Sequence, residues 1–164
     1  MTIEPAADIV VVLTEVALTG PDVDRMLGLH ADEQMVYHVI VPCDTERHVV
    51  VDLLDHLMLL DLEAMARDLR RRDRSVERAQ ADEALRESLA AIAGKGRDAT
   101  GIVTEEEPLA ILRAEVEALS PREVVVVTEP HAVEDTFHTD WASRARDLVG
   151  IPILHMYAGD WRLG

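Results

Sequence analysis

The sequence is short of several residue types, and each shortage excludes a class of protein. Its 164 residues include one cysteine, Cys43, so no intramolecular disulfide framework can form and a reducing compartment is indicated. Lysine and arginine number 16 against 32 aspartates and glutamates, and the resulting net charge of −16 repels nucleic acid and anionic membranes. We therefore expect a cytoplasmic protein with neither nucleic acid nor membrane as a partner.

Long apolar runs are absent as well. The most apolar internal segment, HVVVDLLDHLMLL, is too short to cross a bilayer and contains Asp52 and Asp55. The N-terminal residues MTIEPAAD carry acidic residues where a secretory signal would carry basic ones. The length and the 48% hydrophobic content predict one ordinary domain over residues 1–164.

What is present is an alternation of short apolar runs with helical patterns. The runs are continuous and rich in valine and isoleucine, which is typical of strands buried on both faces. They lie at residues 9–13, 35–42, within 99–108, at 123–128 and at 151–157. Strands that alternate with helices predict an α/β fold: a five-stranded parallel open sheet with helices on both faces.

Local signals predict where several helices begin and end. Pro21 follows Thr19 and Gly20, with Asp22 in the first turn, which is typical of a helix start. PLAILRAEVEAL predicts a helix from Pro108 to Leu119. Within the long insertion at residues 44–99, Ser75 is predicted to cap a second helical segment. A last helix is predicted over DWASRARDLV, ended by Gly150.

The order of these elements, with a long crossover after the second strand, resembles the universal stress protein family. The resemblance covers about residues 8–157 and rests on VYHVIVP, on ALRESLAAIAGKG with TGIVTEEEPLAILRAEVEALSPREVVVV, and on GIPILHMY. It implies an adenine nucleotide alpha hydrolase-like sheet with a ligand crevice at the carboxyl ends of the strands. It also implies a homodimer through the last strand, Ile151 to Tyr157.

The sequence departs from the family where nucleotide-binding members carry glycines that admit phosphate groups. No glycine occurs from Ile102 to Val149, and Thr14 with Glu15 stands where the family has an aspartate after the first strand. Backbone N–H groups approach phosphates most easily at glycine, because a Cβ obstructs the turn. We therefore expect no cofactor, with ATP or AMP binding left as an alternative.

Eight residues are expected to line the crevice: seven lie at or just after the ends of the first, second and fourth strands, and Trp141 lies in the first turn of the predicted last helix. Cys43 is among them, and nearby acidic residues should raise its pKa, which favours a buried, unreactive thiol. The candidate ligand-binding residues are Thr14, Glu15, Val41, Cys43, Thr128, Glu129, His131 and Trp141.

A metal site is a further alternative after the fourth strand. His131, Glu134 and His138 follow an i, i+3, i+7 spacing, which places two histidines and a carboxylate on one face if the segment is helical. The same residues also suit a loop that precedes the last helix. No catalytic residue is predicted. The preferred hypothesis is a stress-related binding or interaction module without catalysis; a nucleotide-binding stress protein and a metal-dependent enzyme are the alternatives.

Overall fold

The computed structural model describes residues 8–43, 63–128, 147 and 149–159, and for 63–73 it describes the backbone alone. Within these residues the chain forms a single sheet whose neighbouring strands are all parallel. The strands are β1 (Asp8–Thr14), β2 (Met35–Pro42), β3 (Ala99–Thr104), β4 (Glu123–Thr128) and β5 (Ile153–Tyr157), in the order β3-β2-β1-β4-β5. The predicted fold class is confirmed.

The helices described between these strands are α1 (Gly20–Gly28), α2 (Glu63–Ala93) and α3 (Pro108–Leu119). Helix α1 follows Thr19 as predicted, and α3 begins at Pro108 with the Glu107 carboxylate accepting a hydrogen bond from the Ala110 N–H at 2.9 Å. Both starts place a proline in the first turn, where its missing N–H has no intrahelical partner to lose.

Helix α2 corrects the prediction that Ser75 begins a separate helix. The helix runs without a break from Glu63 to Ala93, and Ser75 lies in its interior. The flanking residues are mostly alanine, arginine, glutamate and leucine, which are strong helix formers and carry the helix through a single serine. A serine is a start signal only where the preceding residues cannot be helical.

The core has two halves, one on each face of the sheet. On the first face Val10, Val12 and Val39 pack with residues of α1 and α2, including Met26 and Ile92. On the second face Val11, Leu13 and Ile40 pack with Ile111 and Leu112 of α3. Burying each aliphatic side chain contributes about 1.5–3 kcal/mol, so the continuous apolar runs stabilise the sheet from both sides.

Gly101 lies where α2 packs closely against the sheet. A Cβ built at this position would lie 2.5 Å from Leu85 Cδ1 and 2.5 Å from the carbonyl oxygen of Val39. No real Cβ makes contacts that short with backbone, so only glycine allows this approach of helix and strand. The residue therefore sets the packing distance between α2 and the β2–β3 pair.

Strands β3 and β5 form the two edges of the sheet, because each has one strand neighbour in the described order. Each edge presents a row of backbone groups along its outer side. Among the described residues, no helix is long and apolar enough to cross a membrane.

Candidate functional site

The strand order reverses between β1 and β4, and in open parallel sheets ligands bind outside the carboxyl ends of the strands at such a point. We call this region the crevice. The two strands remain paired to their ends, since the Glu15 N–H donates to the Val127 carbonyl at 3.3 Å. Thr14, Glu15 and Thr128 therefore lie together at the crevice, as the sequence places them.

The two threonine hydroxyls at the crevice are engaged within the protein. Thr14 is fully buried, and its Oγ1 donates to the Val16 carbonyl at 2.7 Å while accepting from the Val16 N–H at 3.3 Å. Thr128 is 5% exposed, and its Oγ1 lies 2.8 Å from His155 Nε2. Each hydroxyl therefore already has a partner within the protein, which reduces its capacity to bind a ligand.

Val41 and Cys43 belong to the hydrophobic core on the first face of the sheet. Val41 is 1% exposed, and the Cys43 N–H donates to the Thr104 carbonyl at 2.7 Å. Burial raises the pKa of the Cys43 thiol, Arg78 lowers it, and Glu105 with other acidic groups raises it further. The thiol therefore stays protonated near neutral pH, and the predicted direction of its pKa shift is confirmed, with burial as the larger cause.

Glu15 is the one described member of the predicted crevice set that is exposed to solvent. The remaining members, Glu129, His131 and Trp141, lie outside the described residues, as do Glu134 and His138 of the proposed metal site. In the described part of the chain, no group of three or more histidine, cysteine, aspartate or glutamate side chains is arranged to hold a metal ion.

Asp22 forms the most highly connected polar cluster near this end of the sheet. Its side chain is completely buried, and Oδ2 accepts hydrogen bonds from the N–H and Oγ1 of Thr19 at 2.9 and 2.6 Å. Oδ1 accepts from the Gly159 N–H at 2.9 Å and from Arg25 Nη2 at 2.5 Å. Each oxygen therefore accepts two hydrogen bonds.

These hydrogen bonds decide the charge of Asp22. Burial acts to raise its pKa, but the hydrogen bonds from Thr19, Gly159 and Arg25 outweigh burial and hold the pKa below its usual value. The carboxylate is therefore ionised at neutral pH. It stands in the first turn of α1, where the helix dipole favours a negative group.

Arg25 extends the same cluster to the end of β5. Its Nη2 lies 2.9 Å from the Tyr157 carbonyl oxygen and 2.8 Å from that of Gly159. This ion pair was not predicted from the sequence, although the i, i+3 spacing of Asp22 and Arg25 is a signal from which it could have been found. Nothing in the sequence marks Gly159 as a partner, because that contact spans 137 residues.

Two histidines within strands, His38 and His155, make internal contacts. His38 Nδ1 lies 2.8 Å from Thr100 Oγ1, and its Nε2 faces Glu115 Oε2 at 3.3 Å without hydrogen-bond geometry. His155 contacts Thr128 as described above, and its ring packs edge-on against Tyr157 with centroids 4.8 Å apart. Both histidines thus connect neighbouring strands on the second face of the sheet.

Comparison with known proteins adds evidence on the fold. No protein-family model matches the sequence, and none of the curated proteins does. Among solved structures, a universal stress protein from Archaeoglobus fulgidus matches with a TM-score of 0.53 at 9% identity, over 91% of this chain and 93% of that one. The chain has the fold of universal stress proteins.

Two further structures of universal stress proteins are similar. One, from Archaeoglobus fulgidus in complex with dAMP, has a TM-score of 0.49 at 12% identity and covers 92% of this chain and 97% of that one. The other, from Arabidopsis thaliana with AMP bound, has a TM-score of 0.49 at 10% identity and covers 92% of each chain. The resemblance drawn from the sequence is confirmed for the fold by the match at 0.53.

Proposed function

We propose that this chain, as one domain, is a non-catalytic binding or interaction module that does not bind ATP and self-associates through β5. A cytoplasmic location, expected from the composition, and a role in stress, implied by the resemblance, belong to the same proposal. The observation that carries the proposal is the ionised Asp22 carboxylate at the start of α1, the first helix after the crevice strand β1.

A helix N-terminus after the first strand is where doubly wound folds bind the phosphates of a ligand. In this chain Asp22 already brings a negative charge to that turn, and its oxygens take the N–H of Thr19 and of Gly159. A phosphate about 4 Å from a carboxylate is repelled by about 1 kcal/mol in water and about 4 kcal/mol near a protein surface. Asp22 therefore makes this turn less favourable for a phosphate than a helix N-terminus that carries no carboxylate, although Arg25 offsets part of its charge.

In the part of the crevice that the structure describes, no other group replaces that turn. Glu15 adds a second, exposed carboxylate at the end of β1, and no glycine follows β4 before Gly150. Without glycine, Cβ atoms hinder the close backbone approach that phosphate binding needs. Both features disfavour a nucleotide.

Self-association is supported by the position of β5 at the edge of the sheet. Leu154 and Met156 of this strand pack only partly into the core. An edge strand with apolar side chains pairs readily with another strand, so a second copy is the simplest way to cover it.

A thermal-shift titration of metal-stripped protein with ATP, AMP, Mg²⁺ and Zn²⁺ tests the crevice. A ligand at 100 times its Kd stabilises the native state by about 2.7 kcal/mol, which is easily measured. We expect no change in Tm with any of the four. A rise with ATP or AMP would replace the proposal with nucleotide binding, and a rise with Zn²⁺ alone would support a site at His131, Glu134 and His138.

Sedimentation velocity over a range of protein concentrations tests the second part. We expect a dimer, and the variant Met156→Asp, which places a charge on the partly buried strand, should shift the protein toward monomer. Leu29→Asp is the matched control, since Leu29 is 49% exposed and lies in the turn after α1. A monomer at every concentration would contradict self-association while leaving the crevice result unaffected.

A further inference from the structure

The backbone groups of β5 point alternately toward β4 and away from it. The Val124 N–H donates to the Pro152 carbonyl at 3.0 Å, and the Ala158 N–H donates to the Thr128 carbonyl at 2.8 Å. In a parallel ladder, alternate residues direct both their N–H and C=O groups to the same neighbour. The backbone N–H and C=O groups of the even-numbered residues of β5 therefore point toward β4. Those of Ile153, Tyr157 and the following Gly159 point away from the sheet.

Side chains of helix α1 form hydrogen bonds with the outward-facing backbone groups at the end of β5. Arg25 contacts the carbonyl oxygens of Tyr157 and Gly159 at 2.9 and 2.8 Å, and Asp22 accepts from the Gly159 N–H at 2.9 Å. A strand that pairs with an edge uses these same N–H and C=O groups. Side chains of α1 thus take the place that another strand would occupy at residues 157–159.

The backbone at Gly159 is shaped for this contact. Its φ angle is +93°, in the left-handed region that L side chains rarely adopt. The chain therefore turns directly after β5, which brings the Gly159 N–H to Asp22. A fully buried carboxylate with four hydrogen bonds makes this turn a fixed part of the fold.

We propose that Asp22 and Arg25 form an edge cap. The edge cap limits the part of β5 that can pair with a second copy of the chain, and this part ends at Tyr157. The inference rests on the proposed self-association through β5 and adds the residues that limit it. The edge cap keeps the pairing segment short, so two copies meet in one register. Without Arg25, the carbonyl oxygens of Tyr157 and Gly159 lose this donor and can accept from another strand.

The test compares Arg25→Gln with wild type by sedimentation velocity, with circular dichroism to verify the fold. Arg25 is 40% exposed, so its replacement leaves the hydrophobic core intact. Arg113→Gln is the matched control, because it removes one surface arginine charge from an ion pair with Glu117 on α3. Arg25→Lys, which keeps the charge but loses the guanidinium fork, separates geometry from charge.

We expect Arg25→Gln to lower the dissociation constant at least tenfold or to produce species larger than a dimer, while Arg113→Gln matches wild type. Both variants raise the net negative charge by one, so charge repulsion acts against the expected result. Unchanged or weaker association of Arg25→Gln would overturn the edge cap. If the wild type is monomeric and Arg25→Gln associates, the edge cap is supported and wild-type dimerisation is contradicted. If both proteins stay monomeric, both proposals fail.

Amide hydrogen exchange gives a second readout that does not depend on association. In Arg25→Gln, and in Asp22→Asn if it folds, the Gly159 amide should exchange at least tenfold faster than in wild type. The Val126 amide in the interior strand β4 should be unchanged. Equal protection of Gly159 in all variants would show that α1 does not hold the edge, and would also overturn the proposal.

Discussion

The carboxylate of Asp22 lies 2.9 Å from the backbone nitrogen of Gly159, and this hydrogen bond joins the first helix to the last strand of the sheet. Because Asp22 is ionised and fully buried, its hydrogen bonds are of the charge-assisted kind, which are stronger than neutral ones. The Asp22 cluster therefore affects the stability of the protein, the dependence of that stability on pH, and the edge of β5.

Replacing Asp22 with asparagine should lower the free energy of unfolding by about 2–3 kcal/mol. A buried hydrogen bond to a charged group contributes about 1.5–3 kcal/mol. In the variant, the amide nitrogen of asparagine would face N–H or O–H groups and could not accept their hydrogen bonds. Urea denaturation followed by circular dichroism measures the change. Asp24→Asn is the control: that carboxylate is exposed and pairs only with Lys95, so a change of no more than about 0.5 kcal/mol is expected.

The same residue predicts a pH dependence with a definite sign. The pKa of Asp22 is lower in the folded than in the unfolded state, so the unfolded state binds the proton more readily. Its contribution to stability is therefore present above the unfolded pKa of about 3.9 and is lost as the pH falls through the lower folded pKa. Unfolding free energies of wild type and Asp22→Asn, compared between pH 2 and 7, should converge at the acid end; a constant difference would contradict this.

Gly101→Ala should destabilise the protein by about 1–3 kcal/mol. The added Cβ meets Leu85 and the Val39 carbonyl at 2.5 Å, so α2 must move away from the sheet. Gly28→Ala is the control, since nothing lies within 4 Å of a Cβ at that position at the end of α1. Thermal unfolding of the two variants should differ clearly, and equal Tm values would show that α2 adjusts without cost.

Cys43 should react slowly with a thiol reagent in the native protein. Its side chain is 6% exposed, and burial raises its pKa, so little thiolate is present at pH 7.5. The rate with 5,5′-dithiobis(2-nitrobenzoate) should rise at least a hundredfold in denaturing urea, where the thiol is solvated. Because Cys43 is the single cysteine, the signal has one source. Rapid reaction under native conditions would indicate an open crevice at this position.

The sequence predicts the sheet well because its signals there are local. Short apolar runs rich in valine locate β2 and β4 at their observed limits, and Pro108 locates the start of α3. The error at Ser75 has the same origin, since a local cap signal was read without the helix that precedes it. Local patterns are reliable where they agree with the elements around them.

The crevice was less predictable because its chemistry depends on burial and on distant contacts. The sequence places Thr14 and Thr128 at the correct strand ends, yet their hydroxyls are engaged by Val16 and His155. Nor does any local pattern connect Asp22 to Gly159 or make Gly101 the contact point of α2. Such contacts follow from the assembled sheet, so they become visible only with the tertiary structure.

The connection between Asp22 and Gly159 also has a consequence for biosynthesis. The ribosome makes Asp22 137 residues before Gly159, a delay on the order of ten seconds at about 5–20 residues per second. During that time the carboxylate lacks one of its donors, and Arg25 lacks both carbonyl groups that it later contacts. In the nascent chain, α1 therefore lacks its contacts with Tyr157 and Gly159 until these residues have been synthesised. A translational pause before β5 would prolong that state.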